Sequence, residues 1–366
     1  MTSLRRFSIA VAACAAAWVA SSASAQSSGS TPESLRRLAE RVTEANVRAE
    51  LFALAADSME GRFTASAGGA RAARYIAERM RAAGLRPGGD SGYFQRVPVS
   101  IDRGFLPRPV SSFAAWDTLP AERRGMAVNV IGILPGELAD SAIVVDAHYD
   151  HNGVAGRGVC QAVGADSICN GADDDASGTV AVIEIAKALA AGPKPHRTII
   201  FAATTGEEVG LIGTRWYIAH PVVPLANMTA NLEIEMIDRP DSLVGGPGHA
   251  WLTGYERSTM GEMFKKAGLS IEPDKRVCEG FFERSDNIAF ARAGIPAHTL
   301  STFDLHADYH TVKDDASLAN IPHMTTVIRA AVTAVGMLAS GTSPQWHDGM
   351  RPPATGRVPS PAQCSK

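Results

Sequence analysis

The chain has no excess of charge of either sign. Its 35 Lys and Arg stand against 38 Asp and Glu, a formal net charge of −3 in 366 residues. That balance leaves no electrostatic footprint for nucleic acid, which is excluded as a partner. No internal repeat is visible, so a stacked-repeat architecture is excluded. No linker rich in Pro, Gly or Ser divides the sequence into halves, and one α/β domain is the simplest organisation. Apart from Ile9 to Ala20 near the amino terminus, no run is expected to span a membrane. Cysteine is scarce, with five residues in all.

What is present begins with a leader. Arg5 and Arg6 precede the apolar run, and Ala23-Ser24-Ala25 supplies a small-x-small cleavage site before Gln26. Residues 1–25 read as a signal peptide, 26–340 as the one folded domain and 341–366 as an irregular tail. A secreted or periplasmic location is the expectation that follows. Four cysteines remain after the leader: Cys160, Cys169, Cys278 and Cys364. In an exported chain they suggest disulfides, with three possible pairings. Cys160 and Cys169 flank one short loop and are the expected local pair; no pairing is assigned to Cys278 and Cys364.

Thr31 reads as a helix cap before Pro32, with helical patterning towards Ala56. A second helix is expected over Ala70–Ala83, stopped by Gly84. The stretch from Pro87 to Gly125 reads as strands and loops. Strand patterns follow at Ala127–Leu134, Ala142–Ala147, Thr198–Ala203 and Leu232–Ile237, and helical ones at Thr179–Ala191, Met260–Ala267 and Ile321–Leu338. The near-continuous apolar strands suit a buried sheet. The predicted fold class is α/β, a mixed and mostly parallel central sheet sandwiched by helices.

The chemistry lies where the strands end. AIVVDA runs into His148-Tyr149-Asp150, TIIFAA runs through Thr204-Thr205-Gly206 into Glu207-Glu208, and LEIEMI carries Glu233 and Glu235. Between them stands Asp173-Asp174-Asp175, and near the carboxyl end comes Tyr309-His310. Sites in open α/β sheets form beyond the carboxyl ends of the strands. Acidic and imidazole side chains gathered there need protons or a cation, and such a donor set suits zinc. Two metals about 3.5–4 Å apart can share one carboxylate. Small residues on both sides of the Asp run would let backbone approach them closely. The His148-x-Asp150 spacing lets Asp150 support the His148 ring, since alternate residues of an extended chain share a face. Taken singly, each element has a plainer reading: the Asp run as a solvated loop or helix cap, Glu207-Glu208 as a charged turn. His151, His196, His220, His249, His298, His306 and His347 have no comparable context and read as surface or core histidines.

Together these residues resemble the co-catalytic two-zinc aminopeptidases, a family that also holds glutamate carboxypeptidases and glutaminyl cyclases. The resemblance rests on Met59-Glu60-Gly61-Arg62, Ala147-His148-Tyr149-Asp150, the Gly171–Gly178 stretch and Gly206-Glu207-Glu208-x-Gly210-Leu211-x-Gly213. Arg284-Ser285-Asp286 and Tyr309-His310-Thr311 complete it. It implies two Zn2+ per chain, held by His148, a bridging Asp174, Glu208, Glu235 and His310. It also implies a metallo-aminopeptidase that hydrolyses the N-terminal peptide bond with a metal-activated water, Glu207 being the general base. Asp150 would orient His148, and Tyr309 would stabilise the oxyanion. The partners implied are peptides with a free amino terminus; nothing bears on oligomeric state. The sequence departs from the family where Asp is usual and Glu235 stands, which leaves Glu233 as an alternative ligand. Pro98–Arg124 is too short for the inserted domain that some members carry. A glutaminyl cyclase, a carboxypeptidase or a non-catalytic peptide-binding member are the alternatives. Arg284 is weighed as a contact for a substrate carboxylate.

Overall fold

The computed structural model describes residues 32–102, 106–358 and Cys364. The signal-peptide reading of residues 1–25 and the cap at Thr31 lie outside the described residues. Nine α-helices are present among them: α1 (Pro32–Ala39), α2 (Glu44–Leu54), α3 (Ala67–Ala82), α4 (Phe113–Asp117), α5 (Gly178–Ala190), α6 (Ile212–Ala219), α7 (Met260–Lys266), α8 (Asn287–Ala293) and α9 (Ile321–Ser340). The strands begin with β1 (Arg86–Pro87), β2 (Phe94–Ile101), β3 (Pro107–Pro109), β4 (Arg124–Leu134) and β5 (Leu138–His148). Three two-residue strands follow, β6 (Gly153–Val154), β7 (Arg157–Gly158) and β8 (Ile168–Cys169). The last five are β9 (Arg197–Thr204), β10 (Met228–Ile234), β11 (Ala250–Leu252), β12 (Ile271–Pro273) and β13 (Ala297–Ser301).

The main sheet runs β12-β11-β13-β10-β5-β9-β4-β2-β3, with β1 paired to β4. At its centre β13, β10, β5 and β9 are mutually parallel. β4, β2 and β3 continue antiparallel on one side, and β11 joins β13 antiparallel on the other. The fold is therefore the expected α/β mixed sheet flanked by helices, with its parallel part gathered at the centre. Strand alternation divides the core. Ile143, Val145 and Ala147 of β5 pack towards α1, α2, α3, α5 and α9, while Ala142 and Val144 pack towards α6 and α8. Because both faces are covered, the central strands read as continuous apolar runs.

Three differences from the sequence reading have local causes. The amino-terminal helical stretch breaks at residues 40–43, where Thr43 starts α2 by accepting from the Asn46 amide. A short helix, α4, interrupts the Pro87–Gly125 segment; Ser112 caps it by accepting from the Ala115 amide. The third concerns β10, which stops at Ile234, short of the expected Ile237, and Met236 turns out of the sheet at φ 51°. In the tail, residues 341–358 carry no helix or strand yet stay packed. Trp346 Nε1 donates to the Gly294 carbonyl at 3.0 Å, and Val358 is buried. Disulfides join Cys160 to Cys169, as expected, and Cys278 to Cys364. Contrary to the sequence reading, α9 is long and apolar enough to cross a membrane, although 72% of its most apolar stretch is buried in this fold.

Candidate metal centre and active site

The parallel centre of the sheet delivers side chains to one rim. β5 ends on His148. β9 ends on Thr204, and the chain turns through Gly206, at φ +74°, to reach Glu207 and Glu208. A side chain at Gly206 would press on Ile212 at 2.9 Å. Glu235 is the first residue past β10. The irregular turn Ala172–Ser177 brings in the Asp run just ahead of α5, and the loop after β13 carries His306, Tyr309, His310 and Asp314.

The three adjacent aspartates do three different things. Asp173 accepts from the Asp238 amide through Oδ1 (2.9 Å), and its Oδ2 lies 2.9 Å from His306 Nε2. Asp175 Oδ1 accepts from the amides of Gly178 (2.9 Å) and Met236 (3.0 Å), tying the turn to the end of β10. Asp174 faces the rim. Its Oδ1 is 3.3 Å from His148 Nε2, and its Oδ2 is 3.0 Å from His310 Nε2 and 3.7 Å from His151 Nδ1. Asp314 holds the turn in place by accepting from the amides of Asp173 and Asp174 at 2.9 and 3.0 Å.

Two donor groups share Asp174: His148, Asp174 and Glu235; and His151, Asp174 and Glu208. Glu235 Oε1 is 3.8 Å from His148 Nε2, and Glu208 Oε2 is 3.2 Å from His310 Nε2. His148 and His151 are fully buried. His148 Nε2, both ring nitrogens of His151 and Glu208 Oε1 are buried without a hydrogen bond. Unpaired buried polar atoms are costly, so their convergence points to a cation. Imidazole nitrogens and carboxylate oxygens at these separations fit a divalent metal, and the set suits zinc. The electrostatics agree. Burial penalises the Asp174 carboxylate, yet the His148 and His310 imidazoles outweigh it and hold the group well below the usual range. Burial pulls His310 down, but Asp174 and Glu208 outweigh it and push the ring up to about 10.

The remaining expected site residues surround this cluster. The group nearest His148 Nδ1 is the main-chain carbonyl of Asp150 at 3.1 Å; the Asp150 carboxylate stands at 3.8 Å. That carboxylate accepts from the Thr64 hydroxyl (2.9 Å) and the Glu207 amide (3.2 Å). Asp150 thus touches His148 through its backbone and fixes the Glu207 turn through its side chain. Glu207 is pushed well above the usual carboxylate range, by burial first, with the His148 imidazole opposing. Tyr309 stacks on His310 with ring centroids 3.7 Å apart and lines a small pocket with Glu235, Met236, Phe281, Arg284 and Phe303. The alternative ligand Glu233 faces elsewhere. Its carboxylate accepts from the Ser285 hydroxyl, the Thr299 hydroxyl (2.7 Å), and the amides of Asp286 (3.0 Å) and Asn287 (2.9 Å).

Some site residues escaped the sequence reading. His151 reads from the sequence as a surface or core histidine, yet its Nδ1 lies 2.7 Å from Glu208 Oε1. His306 reads the same way, and it buttresses Asp173. Arg62 stood only as a motif letter. It is fully buried and donates to the carbonyls of Tyr149 (2.7 Å), Leu54 (3.0 Å), Asn170 (2.5 Å) and Gly171 (2.7 Å). One guanidinium therefore clasps the two segments that carry His148 and Asp174.

A mixed sheet with His, Asp and Glu converging beyond its parallel strands defines a metallohydrolase-like α/β protein. The chain belongs to peptidase family M28, whose model matches residues 129–335. The vacuolar membrane protease of Phaeosphaeria nodorum is 27% identical over 236 residues, covering 61% of this chain and 22% of that protein. The chain thus spans about a fifth of the length of the vacuolar membrane proteases it matches. Among solved structures, the Legionella pneumophila LapA aminopeptidase superposes with a TM-score of 0.60 at 17% identity, over 84% of this chain and 75% of that one. A zinc aminopeptidase from Bacillus subtilis gives 0.58 at 15% identity, over 82% and 96%. These likenesses show the fold. The expectation of a secreted or periplasmic protein is corrected here, because several of the curated relatives it matches are vacuolar membrane proteases.

Proposed function

We propose that the chain is a two-zinc aminopeptidase whose catalytic unit is residues 26–340. One observation carries the reading: the two oxygens of Asp174 face two different imidazole–carboxylate groups, as a carboxylate shared by two metals does. His148, Glu235 and Asp174 would hold one metal; His310, Glu208 and Asp174 would hold the other. Bound metals supply a lowered pKa for water and polarisation of the scissile carbonyl. Glu207, held by the Asp150 anchor on its amide, takes a proton from the attacking water and gives it to the leaving amine as the C–N bond breaks. Its raised affinity for protons suits both steps. Tyr309 offers its hydroxyl at the mouth of the site to the substrate oxygen that gains charge.

Likeness of fold to aminopeptidases supports attack at the amino-terminal bond. Free and acetyl-blocked peptides assayed with purified protein test this. Cleavage of free peptides alone, lost on chelation, is expected; equal cleavage of both would overturn the aminopeptidase assignment. Ring closure of N-terminal glutamine at full activity with a single bound metal would establish a glutaminyl cyclase instead.

A further inference from the structure

His151 is fully buried, and its Nδ1 lies 2.7 Å from Glu208 Oε1 and 3.7 Å from Asp174 Oδ2. Despite the short contact, neither ring nitrogen is aligned for a hydrogen bond with any group among the described residues. The ring is also held firmly. Gly171, at φ +57°, brings its Cα against it, and a side chain there would lie 2.4 Å from His151 Cγ. His310 approaches the same Asp174–Glu208 edge from the solvent side, with its ring centroid 5.7 Å from that of His151. That edge therefore has two imidazoles, one rigid and buried and one exposed. The opposite edge of Asp174 has one, His148.

Resting on the two-metal reading above, we propose that His151 is an additional metal ligand, so that the two metal positions are unequal. The position at Asp174 Oδ2 then draws four protein donors: His151, His310, Asp174 and Glu208. Four protein donors complete a tetrahedral shell, as in structural zinc sites, whereas three leave one position open, as in catalytic ones. The four-donor position binds metal more tightly and fills first. The position of His148, Asp174 and Glu235 binds more weakly and keeps the open place where chemistry needs one. A histidine acting only as a hydrogen-bond support for Glu208 would have Nδ1–H aligned on the carboxylate, which the geometry does not show.

The test uses full-length protein stripped by chelation and reloaded with cadmium. With the 113Cd isotope and 15N-labelled histidine, one-bond metal–nitrogen coupling to three imidazoles is expected, two of them on one cadmium. Coupling to two imidazoles only, one per metal, overturns the inference and leaves the two-metal reading intact. Failure of wild-type protein to bind any divalent metal overturns both. In His151→Asn, the tighter of two cobalt-binding steps should weaken by more than the factor of about 10–100 that loss of a mere hydrogen-bonding support costs, while the weaker step stays in place. An unchanged tight step contradicts the proposal. The coupling count in wild-type protein decides the matter even where that variant does not fold.

Discussion

Two buried acidic clusters sit side by side on the central strands. At the rim, Asp174, Glu208 and Glu235 meet imidazoles. One step inside, Asp146, Glu233 and Asp286 meet hydroxyls and amides: Asn231 on Asp146, Thr204 on Asp286, and Ser285, Thr299 and two backbone amides on Glu233. The inner cluster holds its protons more readily than free carboxyl groups do. Burial, helped by Glu235, pushes Glu233 up to about 7, and burial with Glu233 pushes Asp286 up to about 6. The rim holds Asp174 in its charged form. Residue type is the same in both places. What differs is the neighbour: among the described residues the rim carboxylates stand beside unpartnered ring nitrogens of His148 and His151, whereas the unpartnered atoms of the inner cluster, Asp146 Oδ2, Asp286 Oδ1 and Asn231 Oδ1, are all oxygens.

That contrast sets the largest expected effect. Asp174→Asn removes the charge shared by both donor groups, so elemental analysis should find both metals lost or severely depleted. Retention of one metal at wild-type affinity would break the shared-carboxylate account. Glu233→Gln, two residues from Glu235, should leave metal content unchanged. Its amide cannot accept all four of the hydrogen bonds it inherits, and denaturant melts should show a loss of about 1–3 kcal/mol. Depletion of metal in this variant would erase the distinction between the clusters.

A smaller effect separates two kinds of histidine. Rim imidazoles face carboxylates, but the buried His298 has only neutral partners, its Nδ1 2.7 Å from the Thr253 carbonyl and its Nε2 2.6 Å from the Ser258 hydroxyl. Burial pushes it down to about 4. The unfolded chain therefore binds a proton below about pH 6.5 that the folded chain refuses until about pH 4. Stability is full above that window and falls as the pH drops through it. Urea unfolding from about pH 7 to about pH 5 should show a loss of roughly 2 kcal/mol that His298→Gln does not show. Equal losses in both proteins would place the titration elsewhere.

Much of the sheet could be read from the sequence because its central strands are covered on both faces and so appear as unbroken apolar runs. The residues after each run could be read for the same reason: where an apolar strand stops, the chain has reached the rim. Alternation failed just past those ends. Glu233 and Glu235 both stand as candidate ligands in the sequence, but β10 stops between them and Glu233 is taken up by Ser285, Thr299 and two backbone amides. The period of two pairs His148 with Asp150 and gives no place to His151, but β5 ends at His148, and beyond it that period no longer governs direction. Arg62 gave no local signal at all, since its partners at Tyr149, Asn170 and Gly171 lie 87 to 109 residues away. Helices α4, α6 and α8 have 5, 8 and 7 residues, short enough for an apolar period to go unseen, although the equally short α7 is legible.

The adjacent glutamates Glu207 and Glu208 test the central claim most directly, because one is assigned to the proton and the other to the metal. Metal stoichiometry and turnover should be measured side by side for Glu207→Gln and Glu208→Gln. Glu207→Gln keeps the shape and removes the base, so metal content should stay near two per chain while turnover falls by a factor on the order of 10²–10⁴. Glu208→Gln replaces an anionic donor by a neutral one, so metal affinity should fall, and excess zinc should restore part of the activity. Loss of metal from Glu207→Gln with retention in Glu208→Gln would reverse the two roles. Unchanged turnover in both would show that this rim is not the catalytic centre.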